Sequence, residues 1–305
     1  MRLQETEVIA LANQKGGCGK TTSAVSLAAG IAQCGYRVCL VDVDSQCNAT
    51  DSFGINRDEL LREGRFTIAD AFLVKKPATE LLYDFGERFD ELLSLIPGHR
   101  GLGSVSARLD AQLQVTVSNE NYSELDGDDI KNEHRLRLKH SLDSLRGKFD
   151  VVMLDTPPEL GFLMTTSLIA ANRYIIPVFP SGYDLKGLET LTRNVDKVQK
   201  RLNPALMLLG VLIGNFDPRA KLDRDVHALL IKKFSDLIMF PTVINRSVKH
   251  RETTVYSKTI FEHAPGEPAA EQFLAVAQEI IARIELAQSS RARAQRAGRM
   301  EANRG

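Results

Sequence analysis

The chain has no tryptophan, few aromatic residues and no net charge, its 39 lysines and arginines being matched by 39 aspartates and glutamates over 305 residues. That balance excludes a globally basic nucleic-acid binder and leaves only a local basic patch open. Cysteine is equally scarce. Cys18, Cys34, Cys39 and Cys47 are the only four, all near the start of the chain. Their spacing fits neither a zinc ribbon nor a CxxC redox pair, which predicts reduced thiols in a reducing cytosol. Long hydrophobic runs are missing as well: the apolar stretches are strand-length, far short of the roughly 20 residues that a membrane span requires. The opening residues Met1 to Glu7 show no basic region leading into a long apolar segment, so no secretion signal is expected. A soluble, cytoplasmic protein with no membrane partner is predicted.

What remains is an ordinary globular composition, 43% hydrophobic and 26% charged, long enough to bury a substantial core. Short apolar runs rich in β-formers recur at Val8 to Ala12, Arg37 to Val43, Asp150 to Asp155, Arg173 to Phe179 and Leu206 to Ile213. Helical patterns lie between them, the clearest from Thr21 to Cys34, with others near Leu163 to Ala171, Leu185 to Arg201, Leu222 to Lys233 and Ala269 to Ala287. Nearly continuous apolar strands alternating with helices predict an α/β fold: one doubly wound, mostly parallel sheet with helices on both faces. Residues 1–288 read as one domain. Within it, residues 118–134 read as a polar, acidic, exposed insertion, and 289–305 as a basic tail that frays.

The first strand runs into Asn13-Gln14-Lys15-Gly16-Gly17-Cys18-Gly19-Lys20-Thr21-Thr22, and then the amphipathic helix begins. Strand, glycine-rich loop and helix in that order form a phosphate cradle. Glycines let backbone N–H groups turn inward around a phosphate, and the helix N-terminus adds partial positive charge. Lys20 is predicted to reach the β- and γ-phosphates of ATP, with the Thr21 hydroxyl on Mg²⁺. Where the usual loop starts with glycine, this one has Gln14 and a second lysine, Lys15. Residues Lys15 to Thr22 match in full the deviant Walker motif Lys-Gly-Gly-x-Gly-Lys-Thr-Thr, and so the chain resembles the ParA/MinD family of P-loop ATPases. The resemblance implies that Lys15 reaches the nucleotide of a partner subunit in an ATP-bridged homodimer, a charge delivered in trans like an arginine finger.

Two carboxylates close the second strand in Val41-Asp42-Val43-Asp44-Ser45-Gln46, at the sheet edge where open α/β sheets bind ligands. This stretch resembles the family's Asp-x-Asp-x-Gln motif. By that resemblance Asp44 orients the attacking water and stays near Mg²⁺ through solvent, while Asp42 suits a helix-capping or supporting role. A third strand ends at Asp155 followed by Thr156-Pro157-Pro158, a Walker B pattern that predicts Asp155 in the Mg²⁺ shell.

The likeness covers Val8 to about Leu286. Asn215, after the strand Gly210 to Ile213, matches the family residue that contacts adenine, with an amide that both donates and accepts. The segment Pro241 to Arg251 resembles the one the family writes Ile-Pro-Arg-Asn-Val, with Asn245 in place of proline and Ser247 in place of asparagine. It retains Arg246. Together with Lys249, Arg251 and the Arg219 region it predicts a basic face for non-specific DNA phosphate binding. The short ParA partition ATPases are the nearest branch, because the first strand begins within ten residues and leaves no helix-turn-helix extension. That branch implies a ParB-like or other cargo adaptor that stimulates slow hydrolysis. The alternative is a membrane-cycling MinD-type ATPase, but residues 291–305 offer only alanines and Met300 as apolar side chains, too few for an amphipathic anchor.

Overall fold

The computed structural model describes residues 2–119, 124–180, 185–235 and 237–302. In chain order the elements are β1 (Glu7–Leu11), α1 (Lys20–Gln33), β2 (Val38–Asp42), α2 (Asn48–Ser52), α3 (Arg57–Arg62), α4 (Ile68–Leu73), β3 (Tyr83–Asp84), β4 (Leu93–Ile96), α5 (Val105–Asn119) and α6 (Glu124–Asp143). They continue as β5 (Val151–Asp155), α7 (Phe162–Ala170), β6 (Arg173–Val178), α8 (Leu185–Arg201), β7 (Met207–Ile213), α9 (Lys221–Phe234), α10 (Lys249–Tyr256), α11 (Ile260–His263) and α12 (Pro268–Ala302).

The strands form one sheet in the order β3-β4-β2-β5-β1-β6-β7. All neighbours pair in parallel except β3, which runs antiparallel to β4 at the edge. Alternation along each strand divides the core between the two faces. Ala10, Val41, Leu154 and Ile176 face one cluster, packed with α4, α7 and α8. Ile9, Leu40, Met153 and Ile175 face the other, covered by α1 and α12. Strands buried on both faces are the arrangement their continuous apolar runs demand.

The structure adds to the strands expected. The sequence reading passes over β4, whose four residues are all buried: a short run beside Asp90 and Glu91 has little local signal, and its strand state comes from pairing with β2. Within the stretch read as an exposed insertion, 118–134, the described backbone is helical: α5 is described to Asn119 and α6 from Glu124. Residues 120–123 lie outside the described set. Within the stretch read as a basic tail, α12 is described through Ala302. Its alanines and arginines are good helix formers, and a helix already nucleated on the sheet extends at little cost.

Two polar anchors seat α12 on the sheet. Gln288 accepts from the backbone N–H of Gln4 and Glu5 and donates to the Glu5 carbonyl, tying the helix to the start of the chain. Arg283 donates to the carbonyls of Leu209 and Met239 and lies over the Phe240 ring.

Candidate active site

β1 lies between β5 and β6, and the loop after it opens at the carboxyl ends of those strands. Asn13 holds the loop's entry: its amide donates to the Pro177 carbonyl at 2.7 Å, and its Oδ1 accepts the Lys15 N–H at 3.0 Å. Gly17 and Gly19 take φ of +70° and +82°, the left-handed region that glycine adopts without strain. At Gly19 a second constraint applies, because a Cβ there would stand 2.5 Å from the Phe179 ring. Gly19 caps α1 without any side-chain hydrogen bond, so the first N–H groups of the helix remain available to an anion.

The two lysines of the loop are disposed differently. Lys20 is only 7% exposed, and its Nζ donates to the Lys15 carbonyl at 3.1 Å, with the buried Cys18 sulfur at 3.9 Å. Lys15 has an exposed side chain.

Asp42 and Asp155 end neighbouring strands in direct register, and both are fully buried. Asp42 Oδ2 accepts from the Thr50 N–H at 2.8 Å and the Thr50 hydroxyl at 2.7 Å, and Thr50 Oγ1 in turn accepts from the Gly98 N–H at 2.8 Å. Asp42 therefore ties α2 and β4 to β2, the supporting role expected from sequence. Burial pushes its carboxyl up to about 7, with the Thr50 bonds opposing and Asp44 adding to the rise. Asp44, 6% exposed, accepts the Gln46 N–H at 3.0 Å through Oδ1.

Asp155 differs from Asp42 in having no hydrogen-bond partner for either oxygen. Burial and the neighbouring Asp42 hold its carboxyl well above the usual range; Thr21 and Lys20 pull it down, Thr21 without making a bond of ordinary geometry. Two orphaned carboxylate oxygens beside a threonine hydroxyl and a buried lysine form an oxygen donor set suited to a hard, hydrated cation. The donor set fits Mg²⁺.

Beside the loop lies a cavity of about 470 Å³, lined among others by Gly19, Thr22, Phe179, Asn215, Arg246 and Arg251. Its size and position suit a nucleoside attached to phosphates in the loop. Asn215, expected near adenine, is on its wall and takes φ of +51°.

The residues predicted for DNA do not share one setting. Arg246 and Arg251 line this cavity while remaining exposed. Lys249 pairs with Glu252 at 3.0 Å, and Arg219 is exposed just before α9. A parallel bridge between Phe216 and Asn245 draws the Arg219 and Arg246 segments together. Sequence reasoning missed Thr50 and Phe179 in the site; no local motif marks them, since each is brought there by packing.

Comparison with known proteins follows the same lines. The family profile described as "AAA domain" matches residues 6–208. The chain is 34% identical to the sporulation initiation inhibitor protein Soj of Bacillus subtilis, over 90% of this chain and 98% of that protein. It is also 34% identical to the chromosome-partitioning ATPase Soj of Thermus thermophilus, over 91% and 96%. Among solved structures, the cobyrinic acid a,c-diamide synthase of Mycobacterium smegmatis with bound ATP analog and magnesium is 29% identical, with a TM-score of 0.69 over 90% of this chain and 93% of that one. The cell division ATPase MinD of Pyrococcus furiosus shares the fold, with a TM-score of 0.64 at 20% identity over 90% and 98%.

Proposed function

We propose that this chain, which belongs to the ParA/MinD family of P-loop ATPases, is a ParA-type partition ATPase: a homodimer bridged by MgATP that binds DNA non-specifically and is released when a partner stimulates hydrolysis. The cargo it positions would be a plasmid, a chromosome or another assembly. In its ATP state it would be associated with the nucleoid.

The observation that carries this reading is the disposition of the two loop lysines. Lys20 is turned in and buried, where its ammonium serves the β- and γ-phosphates of its own nucleotide. Lys15 sits four residues after the end of β1 with an exposed side chain, in keeping with a role toward a nucleotide bound by a second copy.

Gly16 to Thr22 would hold the phosphates through backbone N–H groups, and Asn215 the adenine. Thr21 and Asp155 would hold Mg²⁺, with Asp44 nearby through water. Bound Mg²⁺ supplies charge neutralisation at the β- and γ-phosphates. Phosphoryl transfer asks little covalent work of the protein, so catalysis consists of orienting water, through Asp44, and of neutralising charge with Lys20 and the partner copy's lysine. Among the described residues no stronger general base stands in the site, in keeping with the slow basal turnover proposed.

Non-specific DNA binding would draw on Arg219 and Arg246, whose segments the Phe216–Asn245 bridge brings together, and on the exposed Arg251, with Lys249 contributing less because it is paired. The test of the dimer is light scattering on size-exclusion columns with MgATP and MgADP. Asp44→Ala should slow hydrolysis and hold a stable dimer with MgATP, while Lys15→Ala should bind ATP and stay monomeric. A Lys15→Ala protein that dimerises and hydrolyses normally removes the trans lysine from the account.

A further inference from the structure

A second cavity, of about 350 Å³, shares no lining residue with the one beside the phosphate loop. It lies between α5, α6 and the start of α7, and Ser106, Asp110, Lys131, His134, Arg135 and Thr165 are on its wall. Gly161, which caps α7, is there as well, and gives the helix no side chain to receive its first N–H groups. No acidic residue stands in that first turn either. The N–H groups that begin a helix have no partner within it, and with the helix dipole they favour an anion.

A helix start alone is common, but here a buried side chain is left unpaired beside it. His134 is 5% exposed and lines the cavity, yet its ring makes no hydrogen bond with any described residue. Burial lowers its pKa, with Arg137 adding to the fall and Glu133 and Asp110 opposing it, so the ring is neutral and has one N–H to give. A buried polar group without a partner costs free energy. An acceptor that enters the cavity removes that cost. Lys131 and Arg135 on α6 outweigh Asp110 on α5, two cations against one carboxylate, so the wall is net positive.

We propose that this cavity is an oxyanion site and that its ligand is inorganic phosphate or an oxyanion of the same shape. The N–H groups that open α7, the hydroxyls of Ser106 and Thr165, the His134 ring and the Arg135 guanidinium all donate. Donors drawn from three helices exceed what the two oxygens of a carboxylate can answer and match the four of a phosphate. The site adds to the nucleotide reading rather than restating it. Gly161 follows Asp155 by six residues on one connecting loop, so the ion borders the segment that leaves the candidate Mg²⁺ carboxylate.

The test titrates inorganic phosphate into the full chain at constant ionic strength, with MgADP present to fill the phosphate loop. Imidazole resonances of the six histidines are followed by NMR, the His134 signal being assigned by its loss in His134→Gln. That signal should move and saturate at roughly millimolar phosphate, while chloride over the same range leaves it in place. Arg135→Gln, a change at an exposed side chain, should weaken phosphate about tenfold, the scale of one hydrogen bond to a charged group. Asp110→Asn should tighten it. A His134 signal that stays put, or drifts without saturating, overturns the inference. An affinity unchanged in Arg135→Gln does the same, because the ion is then held elsewhere. The readout is the ring and not turnover, so failure of the ATPase reading leaves a different mark: a chain that takes no MgADP and still shows the saturating His134 shift.

Discussion

Asp42 and Asp155 face each other across adjacent parallel strands, equally buried, yet only Asp42 is hydrogen-bonded. The contrast separates them: Asp42 is tied into the framework through Thr50, while both Asp155 oxygens are left without a partner, in keeping with the proposed Mg²⁺ site. Asp155→Asn should abolish MgATP hydrolysis while leaving the nucleotide-free protein about as stable as before, because neither carboxyl oxygen has a hydrogen-bond partner to lose. Thermal melts with and without MgATP check this. A large loss of stability in the nucleotide-free variant would show that Asp155 has a structural partner.

Thr50→Val tests the other half of the pair. It deletes a hydroxyl that donates to Asp42 and accepts from Gly98, leaving a buried carboxylate and a backbone N–H each short of a partner. A cost of about 2–4 kcal/mol is expected by denaturant unfolding, together with a fall in hydrolysis as the Asp44 turn loosens. Unchanged stability would remove Thr50 from the framework.

The same carboxylate predicts a pH dependence. Burial raises Asp42 to about 7, whereas in an unfolded chain an aspartate releases its proton near pH 4. Between those values the folded state binds more protons than the unfolded one, so stability falls as pH rises through 7. The nucleotide-free protein should lose about 1 kcal/mol between pH 6 and pH 8. Chemical denaturation at the two pH values measures it; greater stability at pH 8 would contradict the assignment.

Gly17 and Gly19 separate strain from collision. Both have positive φ, but a Cβ at Gly17 meets nothing within 4 Å while one at Gly19 meets Phe179 at 2.5 Å. Gly17→Ala should cost about 1–2 kcal/mol from backbone strain alone. Gly19→Ala should cost more and deform the cavity wall, and Gly19→Ala combined with Phe179→Ala should recover part of that difference. Titration of ATP binding alongside thermal melts distinguishes the two.

The reach of the sequence follows the range of the interactions. Lys15 to Thr22 and Asp155 are set by local chemistry, a loop between a strand and a helix and a charge at a strand end, so spacing reveals them. α8, described over Leu185–Arg201, lies where a helix was expected, because a strong apolar stripe marks it. By contrast β4 is a strand because β2 lies beside it. Thr50 matters because α2 folds back over Asp42. Arg246 and Arg251 read as a charge run along the chain, and only the Phe216–Asn245 bridge and the packing of His250 on Phe273 bring that run to the nucleoside cavity.

The central claim, an ATP switch that binds DNA, is tested most directly by co-sedimentation of the Asp44→Ala protein with random-sequence plasmid DNA at fixed moderate salt, in MgATP and in MgADP. The account predicts that the protein pellets with DNA in MgATP, stays in solution in MgADP, and loses the ATP-state binding when Arg219→Ala and Arg246→Ala are combined. Pelleting that ignores the nucleotide, or none in either state, would contradict it.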